Sequence, residues 1–235
     1  RRAQYDSAVS ICLLKRFAAD QDLAGKSPWV PDRQPLSGKK VAIVGAGPTG
    51  LSAAYYLLQD GHACTIFDEH AEPGGMLRYG VPEDQLPRQV LDAEVDVIRR
   101  LGAEFRTQTT VGKDVSMAEL EARFDAVVLA VGAVDAPRAA GFGVTMKGKG
   151  IEVAGGSFLT HRPRVFAGGD ALHQSRSTVR SAAAGKAVAV AGGQLLRGAP
   201  VTGAKRRFDS RLGKLRDGEI EEFLKEADRS SRQEP

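Results

Sequence analysis

The chain has 235 residues, 42% hydrophobic and 26% charged, and 33 Lys and Arg against 29 Asp and Glu give a formal net charge of +4. This composition excludes an intrinsically disordered protein, and no apolar run reaches the roughly 18 residues that a membrane helix needs. Two cysteines, Cys12 and Cys64, exclude a disulfide framework and any four-cysteine zinc or iron–sulfur site in this sequence.

In chain order, residues 1–36 precede any strand signal. Val9, Leu13, Arg16 and Phe17 suit one helix face, and Ser27-Pro28-Trp29-Val30-Pro31 reads as an extended linker. Lys39 to Val44 is a short apolar run, expected as a buried strand, followed at once by Gly45-Ala46-Gly47-Pro48-Thr49-Gly50. Leu51 to Gln59 is expected as a helix closed by Gly61, and Ala63 to Phe67 as the next strand, which makes a βαβ unit. Residues 70–88 form a Gly- and Pro-rich loop. Val90 to Leu101 has helical apolar spacing, Glu104 to Val111 alternates like a strand, and Met117 to Arg123 is a short helix. Ala126 to Val131 and Val165 to Ala167 are strands, each ending in glycine, and a small-residue helix runs from about Val179 to Leu196. The tail predicts one more helix, with Asp217 as N-cap and Ile220, Phe223, Leu224 and Ala227 on one face.

Three motifs carry chemistry. In Gly45-x-Gly47-x-x-Gly50, the first glycine permits a tight turn, the second lets a pyrophosphate reach the backbone, and the third allows close helix–strand packing. The following helix N-terminus offers free N–H groups and a positive dipole end. An acid about 20 residues on is expected to bind a ribose hydroxyl, and Asp68 and Glu69 both occupy that place. The second motif, Pro73-Gly74-Gly75-Met76-Leu77-Arg78-Tyr79-Gly80-Val81-Pro82, lets the backbone run beside a bulky flat ligand. The third, Phe166-Ala167-Gly168-Gly169-Asp170, can place a carboxylate on a sugar-alcohol hydroxyl, with Ser177, Thr178 and Val179 opening the helix that follows.

Together these stretches resemble the glutamate synthase small-subunit-like family of flavoproteins with two dinucleotide-binding domains. Leu14 to Asp20, the run Phe124 to Gly132, Ser177 to Gly185 and Phe208 to Lys214 add to the match. The resemblance implies an α/β fold: a Rossmann-like FAD-binding domain over residues 37–202, with parallel sheet and flanking helices, an N-terminal helical segment and linker at 1–36 and a helical tail at 203–235. It places FAD on Gly45, Gly47, Gly50, Asp68, Gly75, Leu77, Val111, Gly132, Asp170 and Val179. Pro48, Glu69, Met76, Ala130, Gly169 and Thr178 belong to the same motifs and are expected at the same site.

The departures are informative. Family members insert a pyridine-nucleotide domain between the strand ending at Gly132 and the Gly-Gly-Asp motif. Here the interval Ala133 to Ala167 holds no second GxGxxG and is too short for a domain of about a hundred residues. The NAD(P)H domain is expected to be deleted between about 133 and 150, or omitted from this sequence. A first residue Arg1 rather than Met favours omission.

No acid/base pair, nucleophile triad or metal cluster stands out, and His62, His70, His161 and His173 lack metal-ligand spacing. In this reading no side chain is catalytic and the flavin carries the chemistry. The expected function is an FAD electron-transfer subunit passing electrons between NAD(P)(H) and iron–sulfur clusters of a partner oxidoreductase chain. The alternatives are a stand-alone NAD(P)H-dependent reductase or a structural FAD-holding subunit without turnover. No nucleic-acid or membrane partner is expected, and with no signal peptide the cytoplasm is the expected location. The N-terminal helix and the C-terminal segment, with its Ile220, Phe223 and Leu224 face and the basic run Lys205-Arg206-Arg207, are expected either to pack back on their own domain or, at least one of them, to dock on the partner chain. The resemblance favours the N-terminal segment for docking, because in longer relatives it joins the cluster-binding region to the FAD domain.

Overall fold

In the computed structural model of the chain, the described residues are 8–25, 28–204, Gly218 and Lys225. The chain divides into two units, Trp29–Lys205 and a second made of Arg1–Pro28 with Arg206–Pro235. In the second unit, α1 spans Ile11–Leu23 and buries no residue; Ile11, Leu14 and Phe17 are exposed. This helix runs further than the Val9–Phe17 face predicts. The tail helix expected after Asp217, and the basic run Lys205-Arg206-Arg207, lie outside the described residues.

The larger unit is a parallel sheet between two helical layers. Its strands are β1 (Lys40–Val44), β2 (Ala63–Phe67), β3 (Glu104–Arg106), β4 (Ala126–Leu129) and, after a two-stranded antiparallel hairpin of β5 (Met146–Lys147) and β6 (Gly150–Ile151), β7 (Val165–Ala167). The order is β3-β2-β1-β4-β7, all parallel. A parallel sheet covered on both faces needs near-continuous apolar strands, and Val41 to Val44, Ala126 to Leu129 and Val165 to Ala167 are all buried.

Alternation along the strands divides the core between the two faces. Val41, Ile43, Ile66, Val128 and Phe166 pack with α2 (Pro48–Gln59), α4 (Arg88–Arg100) and α7 (Thr178–Leu196). Ala42, Val44, Phe67, Val127, Leu129 and Val165 pack with α5 (Met117–Arg123), α6 (Ala136–Gly141) and the hairpin. Leu57 and Leu58 of α2 are fully buried, so truncating either to Ala would cost about 2–5 kcal/mol. A capping box starts α5: Ser116 Oγ accepts from Glu119 N–H, and the Glu119 carboxylate accepts from Ser116 N–H.

Three readings change in detail. β3 stops at Arg106 instead of running to Val111. Gln108 takes φ +52°, its N–H donates to His70 O, and Thr109 N–H donates to Asp68 O, which pulls 107–111 off the ladder and against the end of β2. The 70–88 loop contains a one-turn helix, α3 (Met76–Tyr79), and Arg88 pins that loop by donating to Leu77 O and Val81 O. The Pro-bounded linker is strapped to the end of α2: Arg33 Nε donates to Leu58 O, Gln34 N–H to Gln59 O and Ser37 N–H to Gly61 O. Gly61 permits this approach, since a Cβ there would collide with Pro35 O.

The interval 133–164, where the resemblance would place a whole further domain, is occupied by α6 and the hairpin. Val134, Ala139, Phe142, Val144 and Ile151 are buried in the second core face.

Candidate functional site

The chain moves outward from β1 to β2 and β3, then jumps to β4 on the other side. This reversal opens a crevice at the carboxyl ends of β1 and β4, the place where open α/β sheets bind ligands. Gly45 leaves β1 at φ +106°, and a Cβ on it would collide with Ala130 O beyond β4. A Cβ on Gly50 would collide with Gly45 O and crowd Ile43, so Gly50 sets helix α2 against strand β1. Gly47 is different. Its backbone is extended (φ −80°, ψ −178°), open to any residue, and a Cβ would meet nothing nearer than Gly75 Cα at 3.9 Å. The protein itself does not demand glycine there.

Gly47 is also the N-cap of α2 and offers no side-chain cap, Pro48 starts the helix, and no acid sits in its first turn. The positive end of α2 is therefore left for an external anion. A second helix N-terminus converges on the same space. Gly185 of α7 sits where a Cβ would collide with Thr49 O and press on Ser52 and Ala53, and Gly169 where one would collide with Thr49 Oγ1. These two glycines dock α7 and the Gly-Gly-Asp turn on the first turn of α2. Ser52 Oγ donates to Ala182 O at 2.7 Å and ties the two helices.

Asp68 is 9% exposed and acts inward. Its Oδ2 accepts from Ala46 N–H at 2.6 Å, and its Oδ1 accepts from His70 N–H at 2.8 Å and lies 2.9 Å from His70 Nδ1. It ties the glycine turn to the loop after β2, and His70 in turn stacks on Tyr79 with ring centroids 4.5 Å apart. Gly74 N–H donates to Ala46 O at 2.8 Å, and Gly75, at φ +52°, passes so close that a Cβ would come 2.7 Å from Gly47 Cα. Glu69 points elsewhere, forming a 2.8 Å ion pair with Arg138 of α6. Asp170 Oδ1 accepts from Ser175 N–H at 3.1 Å and Ser175 Oγ–H at 3.0 Å.

These elements enclose one cavity of about 720 Å³. It runs from Asp68, Glu69 and Val111 past Ala130 and Gly132, across Gly45, Gly47 and Pro48, to Gly75, Met76, Leu77, Asp170 and Thr178. The structure thus brings thirteen of the sixteen sequence-predicted site residues to one wall-to-wall space. Gly50, Gly169 and Val179 do not line it. Gly50 and Gly169 serve close packing, as above. Val179 is 80% exposed, because one residue's rotation along α7 carries it away from the face that Thr178 and Ser181 present to the cavity. Sequence reasoning missed Thr49, His70, Tyr79, Thr109, Thr110, Arg138, Phe142 and Ser181, which also line it. Thr49 sits inside the glycine motif and was within reach of that signal. Arg138 and Phe142 were not, since no motif marks α6.

Among the described residues, no group of three or more His, Cys, Asp and Glu is placed to hold a metal ion, and no helix is long and apolar enough to cross a membrane. Cys64 is buried, which pushes its thiol up to about 12, while Cys12 is exposed.

The fold and the glycine turn are Rossmann-like, and residues 43–106 match the family described as NAD(P)-binding Rossmann-like domain. The chain is 43% identical over 135 residues to the NADPH-Fe(3+) oxidoreductase subunit beta of Geobacter sulfurreducens, covering 57% of this chain and 20% of that one. It is 39% identical over 176 residues to the glutamate synthase (NADPH) small chain of Mycobacterium tuberculosis, covering 73% of this chain and 35% of that one. Among solved structures it is similar to Mycobacterium tuberculosis FprA in complex with NADPH, at 30% identity and a TM-score of 0.38, covering 43% of this chain and 23% of that one. The chain is thus a homologue of the glutamate synthase small chains and of related oxidoreductase subunits, the group its motifs resemble. It spans between a fifth and about a third of the length of these two relatives.

Proposed function

We propose that the chain is an FAD-binding electron-transfer subunit that passes electrons between NAD(P)(H) and iron–sulfur clusters in a partner oxidoreductase chain. The observation that carries this reading is the convergence of the α2 and α7 N-termini on one cavity, with α2 lacking a side-chain cap and with no contact inside the protein that requires glycine at position 47. A volume of about 720 Å³ falls in the range of cofactor pockets.

In this reading Gly47, Pro48 and Thr49 hold the pyrophosphate against the α2 dipole. Glu69, Val111, Ala130 and Gly132 hold the adenosine end, Asp170 a ribityl hydroxyl, and Met76, Leu77 and Thr178 the ring. The α7 N-terminus would offer its positive end to negative charge on the bound group. A bound flavin would supply the chemistry of accepting a hydride from nicotinamide and releasing electrons singly. The protein's part is to bind, orient and set the potential. The two relatives are named as subunits, a NADPH-Fe(3+) oxidoreductase beta subunit and a glutamate synthase small chain, which supports a partner chain as acceptor.

The purified protein should carry one FAD, seen in its visible spectrum. NAD(P)H should bleach it, and a cluster-bearing partner should be reduced through it and restore the colour. A colourless protein that takes up no FAD on reconstitution overturns the reading. Deleting residues 1–28, rather than 1–36, keeps the Arg33–Ser37 strap on α2 intact. That deletion should leave FAD bound and abolish electron delivery to the partner, and normal delivery would remove the N-terminal segment from the docking role.

A further inference from the structure

The wall of the cavity beyond β2 carries a charge pair that the dinucleotide motifs do not account for. Glu69, at the carboxyl end of β2, and Arg138, on α6, are about 37% and 40% exposed, and Arg138 donates to Glu69 Oε1 at 2.8 Å. An exposed pair of this kind does little for stability. Both residues line the cavity. Arg138 is not a loose surface side chain. Its own N–H is held by the Asp135 N-cap at 2.9 Å, and its neighbours Ala139 and Phe142 are buried.

Asp68, the acid expected to read the ribose, is largely committed. A carboxylate has about four acceptor positions, and Asp68 gives three of them to Ala46 N–H, His70 N–H and His70 Nδ1. The second carboxylate oxygen of Glu69 has no hydrogen-bond partner among the described residues.

We propose that Arg138 is the positioning residue for adenosine-ribose recognition: it holds the Glu69 carboxylate so that the site selects a nucleotide with a free 2′-hydroxyl. This deepens the reading above and rests on the cavity holding an adenine dinucleotide. One guanidinium N–H, on a side chain whose planar group has fixed donor directions, binds one carboxylate oxygen, where the freely rotating ammonium of Lys would direct it less. The remaining oxygen then meets the ribose diol, and its negative charge repels a 2′-phosphate. It follows that the interval between β4 and the Gly-Gly-Asp turn, otherwise a short bridge, supplies part of the cofactor site.

The test uses the full-length protein stripped of cofactor and measures Kd for FAD, ADP, 2′-deoxy-ADP and adenosine 2′,5′-bisphosphate. Wild type should bind ADP about tenfold tighter than 2′-deoxy-ADP, the effect of roughly one charge-assisted hydrogen bond. Arg138→Ala should erase that preference with an unchanged melting temperature, and Arg138→Lys should restore only part of it. Combined with Glu69→Gln, Arg138→Ala should add nothing, because it acts through Glu69. A preference that survives Arg138→Ala, or an equal loss for ADP and 2′-deoxy-ADP, overturns the proposal. So does a wild-type preference for adenosine 2′,5′-bisphosphate over ADP, which would make Arg138 a 2′-phosphate ligand. Wild type that binds FAD without a 2′-hydroxyl preference overturns this role and keeps the flavin reading. Wild type that discriminates ADP but takes up no FAD does the reverse, and binding of neither overturns both.

Discussion

The cavity has two walls built on different principles. The wall formed by the glycine turn, the Gly-Gly-Asp turn and the α7 N-terminus is made of backbone brought into contact at Gly45, Gly50, Gly75, Gly169 and Gly185. The wall formed by Glu69 and α6 is made of half-exposed side chains meeting across a solvent-facing gap. The first is rigid, because a Cβ at Gly45, Gly50, Gly75 or Gly185 would collide with main chain that cannot retreat, and one at Gly169 with the buried Thr49 side chain. The second rests on one side-chain ion pair, so a single substitution can change it without disturbing the main chain. An anionic pyrophosphate suits the first wall, and recognition of a particular sugar suits the second.

The largest test of this contrast is Gly185→Val. Its side chain would drive into Thr49 O and separate α7 from α2, so we expect a loss of about 3 kcal/mol or more, read by urea denaturation, together with loss of the cofactor. Stability close to wild type would mean that the two helices are not locked through this glycine.

Gly47→Val should separate binding from folding on the same wall. Its extended backbone and open surroundings predict a stability change within about 1 kcal/mol. FAD affinity should fall by about a hundredfold or more, as a side chain fills the phosphate path. Full flavin absorbance in this variant would place the phosphates elsewhere.

Asp170→Ala tests the junction between the walls. Loss of a charge-assisted bond predicts FAD binding weaker by about ten- to a hundredfold. Asp170 also holds Ser175, so Ser175→Ala is the control. If Ser175→Ala weakens FAD equally, Asp170 acts only by shaping the loop.

The smallest effect lies at the opposite end of the sheet and should leave both walls untouched. His62 is buried, its Nδ1 lies 2.7 Å from Ser37 Oγ, and its Nε2 has no hydrogen-bond partner among the described residues. Burial holds its pKa below the ordinary histidine value. The unfolded chain therefore takes up a proton before the folded one does, at about pH 6.5. Stability should be complete above that pH and fall as the pH drops toward the lower folded value. A second loss should follow below the ordinary carboxylate range. There the Lys40 N–H bonded to Asp125, and the Arg162 side chain bonded to Glu121, hold both carboxyls down. Urea midpoints measured across pH should show the upper step in wild type and lose it in His62→Leu. A step that persists in His62→Leu would assign it to another group.

How much of this was readable in one dimension depends on which wall is asked about. Strands β1, β2, β4 and β7, the glycine turn and the Gly-Gly-Asp turn are local: apolar runs bounded by glycine specify them wherever they occur. For the same reason their place at one sheet switch point could be anticipated from the βαβ pattern. The early end of β3 could not, because Gln108 and Thr109 leave the ladder for bonds to His70 and Asp68, partners about forty residues away. The division of labour between Asp68 and Glu69 was likewise hidden. Both acids suit the same position, and only the approach of Ala46 N–H to one and Arg138 to the other tells them apart. Arg138 itself lies in a segment with no motif, and side chains at a cavity edge carry no periodic signature. Its role exists only once α6 has packed Ala139 and Phe142 into the second face of the core and turned the guanidinium toward the end of β2.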